Sequence, residues 1–484
     1  MKKVCAIIPL LLTVFSLFTA CSTAESENPA DTTLSSVVPE SEEIVTEPPF
    51  DSDDLPPMDY DGYNFRIYSR DTDWFHGNIV VEEYTGDILN DAIFDRNLKI
   101  AQRFNVEFSE VTGTDTNAPR TAVLAGEDAY DIINARCTAA LTLAEENLTL
   151  SIDQLPYINL DKNYWNSAMT HELSIGDKVY LPVGDMNLTF MDYASIMLFN
   201  KKLHNDFALD NPYDLVRDNT WTFDKYLNMA LAVTADLNGD GAMTDADRYG
   251  TLGGAVFAGY SMVMASGVKS INKNDANEPV FDIASDTKFI EMWNIVIDTL
   301  YNSSQWFDTG TSGQADAVMN SFFKADQALF YSTTFYEIEA MRDMDTDFGI
   351  IPHPKYNETQ ADYYTRVSFF DMMTVPITVT DLDMVSIIIE ALTCESSITV
   401  FPAYYDVAVS TKATRDEESI EMLDIIKNSR VLDLGDTIWC DQIRNGYLIN
   451  LIKAKDTNIT SASESRATSI QALLDKSIAL FKGN

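Results

Sequence analysis

Between Asn64 and Asn134 the hydrophobic pattern switches repeatedly between two periods, and that switching narrows the possible folds more than any other feature of the chain. Asn64-Phe-Arg-Ile-Tyr-Ser69 alternates apolar and polar residues, as a half-buried strand does. From Asp87 to Phe104 the period becomes helical: Leu89, Ile93, Ile100 and Phe104 lie near one face, with Ala92 and Ala101 filling it. Asn105-Val-Glu-Phe-Ser109 reads as a second strand and, after a short helix, Tyr130-Asp-Ile-Ile-Asn134 as a third. Strand–helix–strand–helix–strand is the unit of a doubly wound α/β sheet with parallel strands. Such sheets bind ligands at the carboxyl ends of their strands. The residues after strand one (Ser69, Arg70, Asp73, Trp74) and after strand three (Arg136, Thr138) are therefore candidates. Trp74 sits on a polar stretch, where an indole either stacks on a sugar face or folds back into the core.

At 484 residues the chain exceeds one ordinary core, which implies two or three domains. Val179–Val183 and Ser195–Phe199 are short apolar runs of strand length, the first punctuated by Pro182 and Gly184. A chain leaving one sheet through such a segment and entering another crosses between two lobes. The Gly250–Gly267 segment, with Phe257 and Tyr260, is a candidate lining of the gap between them. Gln327–Phe335 reads as a buried strand ending in hydroxyls.

Charge limits the partners. Lys+Arg 33 against Asp+Glu 75 gives a formal charge of −42, which repels nucleic acid and anionic lipid. No nucleic-acid partner is expected. The five cysteines form no CxxC pair, and the four histidines are scattered, so neither a disulfide framework nor a His-based zinc site follows. No GxSxG, HExxH, Walker or Rossmann motif occurs. A glycosidase needs only two carboxylates, and a chain this acidic keeps that alternative open.

Lys2 and Lys3 precede an apolar run from Val4 to about Phe18, then Thr19-Ala20-Cys21. A positive start, a short apolar stretch and small residues before a cut form an export signal over residues 1–20, shorter than the roughly 20 apolar residues of a membrane span. Leu17-Phe-Thr-Ala-Cys21 resembles a bacterial lipobox, which implies lipidation of Cys21 and attachment to the outer face of the cell membrane. Residues 21–57 are Ser/Thr/Pro/Glu-rich and read as a flexible tether.

Asp236-Leu-Asn-Gly-Asp-Gly-Ala-Met-Thr-Asp-Ala-Asp247 has the spacing of a calcium loop. Asp236, Asn238 and Asp240 take positions 1, 3 and 5, Gly241 the sharp turn, Ala242 a carbonyl position and Asp247 the closing position. Either it holds a structural Ca²⁺ or it is an acidic turn. Ahead of it, Thr222 is placed to cap a helix starting at Phe223.

Several patches, in order, resemble the family-1, maltose-binding-like extracellular solute-binding proteins of bacterial ABC importers, in a clostridial-type branch. They are "DILNDAIFDRNLKIAQRFNV", "YLPVGD" running on to "LFNKKL", "TWTFDKYL" and Phe348-Gly-Ile-Ile-Pro-His-Pro-Lys-Tyr356. The resemblance implies a two-lobe periplasmic-binding-protein fold. Lobe 1 would comprise residues 58–185 and about 347–395, and lobe 2 residues 186–346 and about 396–484. It also implies a ligand-facing strand end at Tyr331, Ser332 and Thr333, a ligand-facing loop at Ser368–Asp371 that includes Phe370, and a stacking indole at Trp439. With Arg70 and Ser332, Asp185 would hydrogen-bond a solute, most simply a carbohydrate, passed on to membrane permease subunits. A surface adhesion lipoprotein is a third reading, and it would need no cleft.

Overall fold

The computed structural model describes residues 51–71, 75–176, 178–307, 315–409 and 417–482. The export signal, Cys21, most of the tether, and Asp73 and Trp74 lie outside them. The first strand, Tyr63–Arg70, pairs in parallel with Val106–Gly113 on one side and with Ile132–Arg136 on the other. The helix between the first two, Ile88–Phe104, is capped by Asp87, whose side chain accepts from the amides of Leu89 and Asn90. It buries Leu89, Ile93, Ile100 and Phe104, the face that the helical period marks out. A fourth strand, Asp371–Thr374, returns antiparallel beside Ile132–Arg136 from more than 230 residues further along the chain.

A second sheet has the order Phe348–Ile351, Ser195–Asn200, Ala328–Thr334, Tyr249–Leu252, Trp306–Phe307. Ser195–Asn200 is wholly buried and runs antiparallel to both of its neighbours. The strands near Ser195–Phe199 and Gln327–Phe335 thus form as the sequence implies. Val179–Val183 does not become a strand. Its backbone is spent instead on scattered partners: Val179 O accepts from Ile152 N, Val183 O from Asn166 N, and Val183 N donates to Thr170 Oγ1. Phe348–Ile351, grouped above with the return into the first lobe, hydrogen-bonds into the second sheet.

Two large cores follow from the two sheets, and a smaller cluster of Tyr68, Val123, Ile133 and Leu143 packs on the first sheet as well. One packs Ile88–Phe104 and the helix Leu382–Glu395 against the first sheet through Phe65, Ile67, Ile100, Ile388 and Leu392. The other lies around the second sheet and extends through the C-terminal helices, including Ile470, Leu474 and Phe481 of Ile459–Phe481. The stretch Leu382–Val407 is long and apolar enough to cross a membrane, but 89% of that apolar window is buried inside the protein, so its apolarity belongs to the core. Its fully buried Glu390 accepts from the Tyr164 hydroxyl (2.6 Å) and the Trp165 indole N–H (2.9 Å). That fastens the segment following the first sheet to the helix. The end of the tether is also fastened: Asp53 pairs with Arg103, and Asp54 with Lys162 at 2.6 Å.

Candidate functional site

Arg70 and Arg136 are the last residues of two parallel strands, and the antiparallel return strand sets Asp371 directly opposite Arg136. Three charged groups thus meet at one end of the first sheet because of topology. Arg70 Nε donates to Asp371 Oδ1 at 2.8 Å, and the Arg70 guanidinium lies 4.4 Å from the Phe75 ring centre. Arg136 has no carboxylate among its hydrogen-bond partners; its Nη2 donates to Cys440 Sγ at 3.3 Å. Burial pushes the Asp371 carboxyl up to about 7, against the pull of Arg70 and then Arg136.

Above this end of the sheet stands Phe369, on the segment returning from the second sheet. Arg136 lies 5.1 Å and Arg444 3.9 Å from its ring centre, and Tyr193 contacts it at 5.9 Å. Tyr193 also meets Phe75 at 5.6 Å, and burial drives its phenol pKa upward. Phe369 has φ 60, a left-handed conformation that a bulky residue takes at a cost. Its neighbours hold it there: Phe370 is fully buried and stacks on Phe190 at 4.3 Å, and Asp371 N donates to Thr189 Oγ1 at 2.9 Å. Arg444 is tied from below, with Nη1 donating to Asp436 Oδ1 at 2.9 Å.

Several buried polar atoms at this place have no hydrogen-bond partner in the protein: Arg70 Nη2, Arg136 Nε, Asp371 Oδ2, Arg444 Nη2, Asn134 Nδ2 and Ser368 Oγ. Such atoms are uncommon in folded proteins, and six of them at one end of a sheet call for a partner such as ordered water, an ion or a ligand. A cleft of about 190 Å³ lined by Tyr60, Tyr63, Asp131 and Asp381 lies at the opposite, amino-terminal end of the first strand.

The structure brings Arg70 and Arg136 together, and most of the other candidates are engaged with partners of their own. Tyr260 is buried, its hydroxyl on Asp433, and Tyr331 is buried with its hydroxyl on Asn320 Oδ1 at 2.9 Å. Ser332 shares a hydrogen bond with His353 Nε2 at 2.8 Å; burial drives that imidazole down to about 3 and keeps it neutral. Phe370 belongs to the core, one residue from the ring that faces the site. Trp439 is 2% exposed, with its indole N–H unpartnered, and its neighbour Cys440 accepts from Arg136. Asp185 interacts with Arg430, Lys427 and Ser397, and burial raises its carboxyl. Trp74 lies outside the described residues. Asp371, Phe369, Tyr193 and Arg444 are the residues that sequence reasoning missed as individual contacts.

Ahead of the acidic loop Thr222 caps Phe223–Val233 as its spacing implies, accepting from Lys225 N. Gly241 has φ +88, the turn that position requires. Asp236 accepts from the amides of Gly239 (2.7 Å) and Gly241 (2.8 Å), Asn238 from Asp240 (2.8 Å), Asp240 from Ala242 (2.8 Å), and Asp247 from Leu237 (2.9 Å) and Thr244 (2.7 Å). Among the described residues no group of three or more His, Cys, Asp or Glu side chains is placed to hold a metal ion.

No protein-family model matches the chain, and no curated protein matches it. Solved structures do. An ABC substrate-binding protein from Listeria monocytogenes in complex with cycloalternan superposes with a TM-score of 0.51 at 13% identity, covering 87% of this chain and 100% of that one. The GacH receptor of Streptomyces glaucescens, solved unliganded and with acarbose, gives 0.54 at 12% identity over 86% and 99%. UgpB from Mycobacterium tuberculosis, in complex with glycerophosphocholine, gives 0.54 at 11% identity over 86% and 99%. A family 1 extracellular solute-binding protein from Bifidobacterium longum subsp. infantis also gives 0.54, at 12% identity over 84% and 99%. The fold is the two-lobe α/β fold of these solute-binding proteins.

Proposed function

We propose that this protein is a solute-binding receptor of an ABC importer, which captures a small molecule, most simply a carbohydrate, between its two lobes and makes or breaks no bond in it. The observation that carries this reading is the placing of Arg70 and Arg136 at the carboxyl ends of parallel strands, with Asp371, the first residue of the antiparallel return strand, set opposite Arg136. Doubly wound folds bind ligands there, and structures that share this fold are solved with oligosaccharides or a glycerophosphodiester bound. In this reading the lobes follow the division expected from the sequence, with Phe348–Ile351 moved to the second lobe because it hydrogen-bonds into the second sheet.

Hinge closure supplies the mechanism. A solute touching both lobes favours the closed arrangement by its differential contacts with that arrangement. Tyr193 offers an apolar face to a sugar ring, and Arg70, Arg136 and Asp371 offer the hydrogen bonds that orient it. A glycosidase would need a second carboxylate poised against Asp371. The neighbouring Asp192 is instead occupied, accepting from the His76 amide, the His76 imidazole and the Tyr404 hydroxyl.

Lipidation at Cys21, anchoring at the outer face of the membrane and delivery to permease subunits complete the proposal. Ca²⁺ in the Asp236–Asp247 loop is a separate part of it, supported by ligand spacing and the turn at Gly241. A thermal-unfolding screen of mono- and oligosaccharides tests the receptor reading: a hit raises Tm and is bound unchanged. Conversion of a hit into hydrolysis products would refute it.

A further inference from the structure

Arg136 and Arg444 lie on Phe369, Arg70 pairs with Asp371 opposite Arg136, and Arg366 shares Asp436 with Arg444, but the four arginines are not equivalent. Arg366 is 2% exposed and every one of its nitrogens is engaged: Nε and Nη2 with Asp436 (2.7 and 2.8 Å), Nη1 with Phe257 O (3.2 Å) and Ser261 Oγ (3.1 Å). Arg96, elsewhere in the fold, is equally buried and likewise uses all three nitrogens, on Asn97, Ser396 and the Ile79 carbonyl. This chain therefore satisfies a buried guanidinium completely where its role is structural. At the strand ends it does not. Arg70 keeps Nη2, Arg136 keeps Nε and the 2%-exposed Arg444 keeps Nη2 without a partner.

The ion pairing points the same way. Arg70 pairs with Asp371, Arg366 and Arg444 share Asp436, and Arg136 pairs with no carboxylate among the described residues. The other buried acids close by are spent elsewhere, Asp192 on His76 and Tyr404 and Asp433 on Tyr260 and Ser270. A guanidinium without a paired anion is costly to bury. Phe369 supplies a rigid plate on which Arg136 and Arg444 lie, so their free edges are fixed in direction as well as in number.

We propose that the solute carries an oxyanion, a carboxylate or a phosphate, which Arg70, Arg136 and Arg444 receive at the edge of the Phe369 ring. The ligand class is then an acidic sugar or sugar phosphate and not a neutral oligosaccharide. This rests on the receptor reading above and narrows its ligand.

The test is calorimetric titration of the purified full chain, at matched ionic strength, with a panel in which glucose, galactose and mannose each appear as the neutral sugar, its uronate and its 6-phosphate. The expected result is binding of an acidic member with its neutral parent at least about tenfold weaker, the minimum worth of a charge-assisted hydrogen bond. The uronate and phosphate arms identify which oxyanion is read. Arg136→Gln, which breaks no ion pair, should weaken the acidic ligand by about tenfold or more; Arg136→Lys should restore part of that loss for a phosphate and little for a planar carboxylate. Three results overturn the proposal: neutral sugars binding as tightly as their acidic partners, acidic binding unmoved by Arg136→Gln, or no acidic member binding. A neutral sugar that binds while the acidic ones do not refutes the oxyanion and leaves the receptor reading standing.

Discussion

Replacing Asp436 by Asn probes how the candidate site is held in place. The carboxylate is fully buried between Arg366 and Arg444, with contacts of 2.7, 2.8 and 2.9 Å. Burial by itself would raise its carboxyl; Arg366 and then Arg444 outweigh that and hold it below the usual range. Asn keeps the shape and one acceptor but leaves two buried guanidiniums facing each other without an anion. Removing one partner of such a group costs about 3–5 kcal/mol. A folded body of roughly 430 residues has an unfolding entropy near 0.9 kcal/mol/K, so Tm should fall by about 3–5 °C in a calorimetric scan. Ligand affinity should fall with it, because Arg366 lies three residues before Phe369 and Arg444 covers that ring. The triple change Arg366→Met, Asp436→Leu, Arg444→Met should recover much of the stability, since an apolar replacement avoids the desolvation cost, yet leave binding impaired. A Tm for Asp436→Asn within about 1 °C of the parent would refute the reasoning, because the carboxylate would then be contributing no more than an exposed pair does.

Other consequences can be measured separately. Asp371, raised from 3.8 to about 7, and His76, raised above 6.5 by its hydrogen bond to Asp192 although burial opposes it, both bind a proton more tightly when folded. Their stabilising contribution is complete below 3.8 and 6.5 respectively and is lost as pH climbs through about 7 and through the elevated imidazole value, so stability should decline over that range. Asp371→Asn should flatten that decline, and an unchanged pH slope in the variant would contradict the assignment. Trp439→Ala should cost about 3–5 kcal/mol of stability in denaturant titration, as a buried ring does, whereas Trp439→Phe should leave affinity within about threefold; a loss beyond tenfold at unchanged stability would place the indole on the ligand. If the Asp236–Asp247 loop holds Ca²⁺, EDTA should lower Tm and added Ca²⁺ restore it, with Asp240→Asn abolishing the response; no EDTA effect removes the metal from the account. Cys21→Ala should shift the protein from the membrane fraction to the medium, and retention in the membrane would refute lipidation at that residue.

The first sheet was legible because each of its parallel strands and the intervening helix carries its own period, and because Asp87 and Thr222 cap helices through contacts two or three residues away. Val179–Val183 shows the limit of that reading. A five-residue apolar run that includes a proline, half-buried at Val179 and Tyr180 and buried from Leu181 to Val183, looks the same whether it forms a strand or an irregular segment, since an unbroken apolar run shows no period. The site divides along the same line. Arg70 and Arg136 could be named because strand ends are local features. The Arg70–Asp371 pair spans 301 residues, and the Arg136–Cys440 contact spans 304, distances over which no local pattern carries information. Phe370 is buried on Phe190 while Phe369, one residue earlier, meets Arg136 and Arg444, and one residue is enough to exchange one face for the other. Only the left-handed turn at Phe369 settles which ring points outward, and nothing in a Phe-Phe pair announces it.

Small-angle X-ray scattering with and without the tightest-binding member of the sugar panel tests the receptor account most directly. Closure of two lobes on a solute held at the Arg70–Arg136–Asp371 end of the sheet predicts a smaller radius of gyration at saturation, and Arg136→Gln should remove that compaction at the same ligand concentration. A saturated protein whose scattering curve matches that of the free form would contradict it.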